Sequence, residues 1–374
     1  MSAARALASE LESTGRCSVR VVDAYLECGQ FPVTLFPAAY ARIASHHPRL
    51  WSLIYHVSSR LAGAHARGLS PSMVVGPFLR RGFGRLMSDA RPDLVISVLP
   101  VVNGLLAEAA ARIGARLEVV LTDWHSVHPF WEAPAAQHYV TPTESARRDC
   151  IRFGALTDAV EVVGIPVQRE FALVGGAPAA EVRAQRLTEL GLDSRRFTIL
   201  TMVGAEGSPR ALRNLACLAS AGIDAQLVVI CGRSEELRMQ MEKLPARMPL
   251  KALGFVEDVA ELMRSADVLV TKAGGLTLAE AFCCGVPVVI HDVLPGQEAG
   301  NLEYVLQECA ALYAPRPTAL VQVISELAAD PARRFELAER GKRLARPEAA
   351  QEIVEGALAR LDRAHQSRAK VRDR

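Results

Sequence analysis

The feature that most constrains this chain is a repeated alternation: short apolar runs rich in β-branched residues, separated by stretches of helical periodicity. The clearest runs are Leu94–Leu99, Glu118–Thr122, Val160–Gly164, Phe197–Val203, Ala225–Ile230, Asp267–Thr271 and Val286–His291. Each is mostly apolar on both faces, as expected of strands covered by helices on two sides. The gaps leave room for crossover helices, so the pattern predicts an α/β fold of doubly wound parallel sheets, with strands enough for two. A length of 374 residues also exceeds what one core usually spans.

The expected boundary lies at 165–178, where the strand Val160–Gly164 runs into Pro166 and then a Gly-Gly-Ala-Pro stretch, Gly175–Pro178, before a helix over Glu181–Leu190. That predicts a first domain over 1–165 and a second Rossmann-like domain over 166–345. Arg333–Ala345 and Glu348–Arg363 read as terminal helices, the segment 346–374 packing back on the first domain. From Arg360 onward there are six basic and two acidic residues, read either as a solvated tail or as a lipid-headgroup contact.

Composition removes several classes. The net charge of +2, without an arginine-rich stretch carrying interleaved aromatics, argues against a nucleic-acid partner. The longest apolar stretch, Leu94–Ala111, is interrupted by Pro100, Asn103, Gly104 and Glu108, so it reads as a strand followed by a helix and not as a membrane span. The N-terminus lacks the basic-then-apolar pattern of a secretory signal. Eight cysteines show no CxxC pair, which predicts free thiols, a reducing cytoplasmic compartment and peripheral membrane contact only.

The most informative segment is ADVLVTKAGGLTLAEAFCCGVPVVIHDVLPGQEAGNLEY, Ala266–Tyr304. A strand ends in Lys272-Ala273-Gly274-Gly275 and a helix begins near Thr277. Glycines there let a ligand approach the backbone, and first-turn N–H groups form an anion site suited to a diphosphate. Thr277 adds a hydroxyl, and Glu280 stands one turn on, able to accept from ribose hydroxyls. The loop after Val286–His291 carries Pro295-Gly296-Gln297-Glu298, with Gln297 and Glu298 suited to the hydroxyls of a hexose. Gly204 and Gly207, in the small-residue loop ending LTMVGAEG, offer a second phosphate cradle. Gly254-Phe255-Val256 offers backbone bonds and a wall for a uracil, Phe255 being equally readable as core.

These residues resemble the monogalactosyldiacylglycerol synthases and processive diacylglycerol glucosyltransferases of glycosyltransferase family 28. TKAGGLTLAEAFCCGVPVVIHDVLPGQEAGN is similar to that family's donor signature almost throughout, and QLVVICGR and GFVEDVAELMRSAD match its neighbouring segments. The resemblance implies a GT-B fold of two Rossmann-like domains facing a cleft. It implies inverting hexosyl transfer from UDP-galactose or UDP-glucose to diacylglycerol or a related lipid at the membrane surface, with no metal and no cofactor beyond the UDP-sugar co-substrate. It places Gly274, Gly275 and Thr277 at the diphosphate, Glu280 at the ribose, and Gln297 and Glu298 at the sugar, with Lys272 nearby.

In the first half, VLTDWHSVHPFW (Val120–Trp131) is similar to the family's Thr-Asp-x4-His-Pro-x-Trp. That makes Asp123 and His128 the catalytic candidates and Trp131, with Trp51 of the stretch Leu50–Tyr55, acceptor-binding. A metal site from His125, His128 and His138 is the weaker alternative for lack of a fixed third ligand. Trp51, Phe78 and Phe83 beside Arg80, Arg81 and Arg85 read either as a membrane-facing surface or as ordinary packing with solvated arginines. One departure stands out. The family opens on a strand and a Gly-rich loop ending in histidine, whereas here the first residues already read as the following helix. The expected fold therefore lacks its first strand, which exposes an edge. A start upstream, another base (Asp123 or His128) or lost catalysis would each account for this. A UDP-sugar 2-epimerase and a non-catalytic UDP-sugar or lipid binder remain as alternatives.

Overall fold

The computed structural model describes residues 2–63, 71–133, 136–172, 180–203 and 208–372. The helices are α1 (Ser2–Ser13), α2 (Ala24–Cys28), α3 (Phe36–His46), α4 (Pro48–Gly63), α5 (Pro71–Ala90), α6 (Asn103–Ile113), α7 (Glu144–Arg152), α8 (Arg169–Ala172), α9 (Ala180–Glu189), α10 (Pro209–Ala219), α11 (Glu235–Glu242), α12 (Val259–Ser265), α13 (Gly275–Cys284), α14 (Ala299–Gln307), α15 (Pro317–Ala329), α16 (Pro331–Leu344) and α17 (Ala349–Arg372). The strands are β1 (Leu94–Ser97), β2 (Arg116–Val120), β3 (His138–Thr141), β4 (Val160–Val162), β5 (Phe197–Met202), β6 (Ala225–Ile230), β7 (Leu250–Leu253), β8 (Val268–Lys272), β9 (Val288–Asp292) and β10 (Ala311–Tyr313). Two compact units result: Met1–Tyr40, Leu53–Arg169 and Arg346–Arg374 in one, Ala41–Ser52 and Glu170–Ala345 in the other.

The first unit holds a parallel sheet in the order β1-β2-β3-β4. Strand alternation sends Leu117, Val119 and Leu121 into one core, with Leu79 and Phe83 of α5 and Leu105 of α6. Val120, Val140 and Val163 meet the opposite layer, Leu7 and Leu11 of α1 and Ile353 and Leu358 of α17. Burying one such aliphatic side chain is worth about 1.5–3 kcal/mol. The α17 layer carries one charge inward. Glu118 of β2 is fully buried and receives both Nε (3.0 Å) and an Nη (2.8 Å) of Arg360. Among the described residues no strand pairs with the outer edge of β1, whose Leu94, Val95 and Ile96 are only half-buried.

The second unit is a six-stranded parallel sheet in the order β10-β9-β8-β5-β6-β7. The chain runs outward from β5 through β6 to β7, then returns to β8 on the other side of β5. The reversal between β5 and β8 is a topological switch point, and crevices outside the carboxyl ends of strands at such a point are where open α/β sheets bind ligands. Three strands escape the sequence reading. In β3 the polar His138 and Thr141 break the apolar pattern, yet all four residues are buried because β4 supplies partners: Glu161 Oε2 lies 3.2 Å from His138 Nε2, and the Glu161 carbonyl accepts from Thr141 Oγ1. β7 and β10 are short edge strands. Of the two readings of Phe78 and Phe83, packing holds: Phe83 is 1% exposed in the first core, and Phe78 packs against that core. The arginines around them sit on the outer face of the same helix, so helical periodicity separates residues that adjacency suggested would act together.

Candidate functional site

In the second unit, β8 delivers Lys272 to the carboxyl edge and the chain turns at Ala273-Gly274 into α13, starting at Gly275. Gly274 is the N-cap and supplies no side chain to the first-turn N–H groups. A Cβ there would lie 3.7 Å from Glu298 Oε1 and 4.0 Å from Thr277 Oγ1, ordinary contacts, so the protein's own packing does not demand glycine.

The β9–α14 loop closes over the same turn. Pro295-Gly296 makes the bend, with Gly296 at φ +88°, the position of a tight turn that favours glycine. The Glu298 N–H then donates to the Leu294 carbonyl (3.0 Å). Glu298, expected at the sugar, is 8% exposed and already engaged. Its Oε1 is 3.4 Å from Lys272 Nζ and its Oε2 accepts from the Leu294 N–H at 2.8 Å. Asn301, fully buried, donates to the Ala273 carbonyl (3.0 Å). Lys272, Gly274, Thr277 and Glu298 are thus brought together, with Gln297 half-buried on the loop.

Glu280 lies one turn into α13, 6% exposed, and among the described residues no hydrogen bond or ion pair holds its carboxylate. Burial pushes its pKa up to about 8, and the charge of Glu170 adds to the shift. A buried, unpaired carboxyl is costly for folding alone, which is a mark of a functional position.

Gly204 and Gly207 lie outside the described residues, but both ends of their loop are anchored. Val203 N–H donates to the Ile230 carbonyl (3.2 Å), and Ser208, which caps α10, donates its hydroxyl to Asp292 at the end of β9. Arg210 Nη1 stands 3.7 Å from the other Asp292 oxygen. The sequence reading missed Ser208, Arg210 and Asp292. The signals were a Ser-Pro before an amphipathic helix and an acidic residue ending an apolar strand. Phe255 is 56% exposed with the Arg233 guanidinium 5.0 Å from its ring centroid, so it is a surface platform and not core; Val256 beside it is half-buried.

The first-unit constellation follows β2. Asp123 Oδ2 accepts from Trp131 Nε1 (2.8 Å); Trp131, expected to touch acceptor, is 2% exposed and serves to hold Asp123. The loop is fixed by Val127 N–H on Asp149 (2.9 Å), by Thr143 Oγ1 on the Trp124 carbonyl (2.5 Å), and by Ser145 Oγ against His125 Nδ1 (2.5 Å). His128 is 7% exposed. Its Nδ1 accepts from the Phe130 N–H (3.1 Å), so the ring proton is on Nε2, which faces Ser58 Oγ (3.2 Å) and the Tyr55 carbonyl (3.4 Å). Burial pushes its pKa down to about 4. A neutral imidazole with both nitrogens engaged is poorly suited to general base work. His125, His128 and His138 each bond a different partner, Ser145, Ser58 and Glu161, and do not converge on a common point in the manner of ligands. Trp51 is half-buried on α4.

Comparison with known proteins accords with this division. Residues 1–167 match the family model of monogalactosyldiacylglycerol (MGDG) synthase, and 201–344 match glycosyl transferases group 1. The chloroplastic monogalactosyldiacylglycerol synthase of Spinacia oleracea is 29% identical over 348 residues, covering 90% of this chain and 65% of that protein. A processive diacylglycerol beta-glucosyltransferase of Bacillus licheniformis is 27% identical, covering 87% of this chain and 83% of the relative. The chain spans 63–65% of the length of the first plant relatives it matches. Among solved structures, Acinetobacter baumannii MurG superposes with TM-score 0.55 at 19% identity, over 75% of this chain and 77% of that one, a likeness of GT-B fold. Residues 1–167 are thus similar to monogalactosyldiacylglycerol synthases and residues 201–344 to group 1 glycosyl transferases, in line with the resemblance that the sequence motifs carry.

Proposed function

We propose that this chain is an inverting hexosyltransferase that moves galactose or glucose from a UDP-sugar to diacylglycerol at the cytoplasmic face of a membrane. The observation that carries the reading is the turn at the switch point. An uncapped helix N-terminus, Lys272 and an open Gly274 stand where a diphosphate would sit, with a buried unpaired carboxyl, Glu280, one turn away. In this reading the first-turn N–H groups of α13 and the Lys272 ammonium stabilise the departing UDP without a metal, and Glu280 accepts from the ribose hydroxyls. Phe255 and Val256 border the base. Glu298 holds the loop so that Gln297 reaches the sugar. Asp123 takes the proton of the acceptor hydroxyl as its oxygen attacks the anomeric carbon and UDP leaves. His128, whose Nδ1 is occupied, is not assigned that role.

The lipid partner is supported by charge and exposure together. From Cys28 to Ser88 there is no Asp or Glu, while seven arginines occur: Arg42, Arg49, Arg60, Arg67, Arg80, Arg81 and Arg85. The same region exposes Phe31 (76%), Leu35, Leu53 (60%), Val57 and Leu61. Exposed apolar side chains in an acid-free, arginine-bearing segment complement an anionic lipid surface, although Arg80 pairs with Glu108. Among the described residues no helix is long and apolar enough to cross a membrane.

The test is incubation with UDP-galactose or UDP-glucose and vesicles containing diacylglycerol and an anionic phospholipid, reading UDP release and the glycolipid by mass. The expected product is a monohexosyl diacylglycerol, abolished by Asp123→Asn. Conversion of the donor to an isomer without acceptor, or UDP binding with no turnover, would overturn the assignment. Dimerisation through the apolar face, lost in Leu53→Asp with vesicle binding unchanged, would overturn the lipid partner alone.

A further inference from the structure

We infer that His128 is a positioning residue which couples helix α4, where the lipid surface seats, to Asp123 in the loop after β2. The inference rests on the lipid-acceptor reading above and adds a mechanical link to it.

α4 carries two different surfaces. Leu53, Ile54, Val57 and Leu61 lie 41–60% exposed at spacings of three and four, along one flank of the helix. Tyr55 and Ser58, three apart, lie on another flank and are the groups that hold His128. Ser58 Oγ stands 3.2 Å from His128 Nε2 and itself donates to the Tyr55 carbonyl at 2.9 Å. The Tyr55 ring meets the imidazole edge-on at 4.7 Å between centroids. α4 and the loop therefore meet at the buried His128 ring, and the Tyr55 phenol beside it also lies near enough to Asp123 and Asp149 to feel their charges.

On the loop side the connection is short. His128 accepts the Phe130 N–H, the Phe130 ring meets it edge-on at 4.3 Å between centroids, and the next residue, Trp131, donates to Asp123. The rest of the loop is pinned elsewhere by Asp149 and Thr143, so a displacement of the imidazole is taken up at 128–131 and passed to Asp123. Seating α4 on lipid thus biases the position of the acceptor base, and the protein is more active on a lipid surface than the concentration of acceptor alone would give. A contiguous set of contacts carries the coupling, and both ends are testable.

The experiment compares turnover on diacylglycerol in anionic vesicles with turnover on a monomeric short-chain diacylglycerol, in wild type, Ser58→Ala, His128→Leu and His128→Gln. Gln keeps a donor near the Nε2 position. Ser58→Ala deletes one hydroxyl from a half-exposed helix position, so the test survives should His128→Leu fail to fold. Expected is a vesicle-to-monomer ratio well above one in wild type, lowered roughly 3- to 10-fold in Ser58→Ala, the worth of one hydrogen bond, and partly restored in His128→Gln relative to His128→Leu. A purely structural role would lower both rates together and leave the ratio at the wild-type value, which overturns the inference. So does a wild-type ratio near one. Absence of transfer to either acceptor in wild type instead overturns the function on which the inference rests.

Discussion

Replacing Glu280 by Gln tests the donor site through the proton that the buried carboxyl holds. In the folded protein its pKa is about 8, against 4.5 for the free side chain, because burial removes the water that would solvate the charge and Glu170 adds repulsion. The folded state therefore binds a proton that the unfolded state has lost wherever the pH lies between those values, and stability falls as pH rises through that window. Each pH unit costs about 1.4 kcal/mol, so the loss is about 3 kcal/mol by pH 7 and approaches about 5 kcal/mol above pH 8. Glu280→Gln, neutral at every pH, keeps the shape without the titration. Denaturant midpoints should coincide with wild type near pH 4.5 and move apart as pH rises, the variant becoming the more stable protein. UDP binding supplies the second half of the test. If ribose hydroxyls donate to the ionised carboxylate, binding at pH 7 releases close to one proton, and UDP affinity falls up to tenfold per unit as pH drops below 8. Calorimetry in two buffers of different ionisation enthalpy reads that proton directly. Heats that do not depend on buffer, with an affinity flat in pH and unchanged in the variant, would refute the assignment of Glu280 to the nucleotide.

Three further substitutions probe other parts. Glu118→Ala leaves the Arg360 guanidinium partly buried without its bidentate partner and should cost about 3–5 kcal/mol in urea unfolding, whereas the paired Glu118→Leu, Arg360→Met change should recover most of it. Gly164→Ala puts a Cβ 2.7 Å from Arg346 Cβ at φ +144° and should lower stability by about 2 kcal/mol or more, read as a fall in melting temperature. Lys272→Met frees Glu298 from its ammonium partner and removes a positive charge from the turn, so kcat/KM for the UDP-sugar should fall at least tenfold while vesicle binding is unchanged.

The strands were legible where they are covered on both faces by apolar layers. β2, β5, β6, β8 and β9 show it in short, mostly apolar runs. β3 did not, because its polar residues are satisfied by a neighbour 20 to 23 residues away, and no local pattern reports such a partner. Charge was under-read for a similar reason. The total of +2 averages over the chain, and the 61-residue acid-free segment with seven arginines is balanced by acidic residues elsewhere. A net charge near zero thus says little about the field over one face.

The two halves of the site differ in how far sequence could reach, and the cause is physical. The donor turn is built by contiguous chain: strand, glycine turn and helix come in order, so residue types and spacing already fix which groups share an edge. Even there, the role of Glu298 was visible only once its oxygens were seen on Lys272 and the Leu294 N–H, because a carboxylate able to bind a sugar and one that locks a loop are the same letter. The first-unit constellation depends on contacts across 70 residues. His128 reads as a base in a one-dimensional motif, but the proton it would take is refused by a nitrogen already accepting from Phe130, while its other nitrogen faces a serine on α4. Tautomer and burial follow from tertiary packing, so they decide what an acid–base residue can do after the motif has said only where it is.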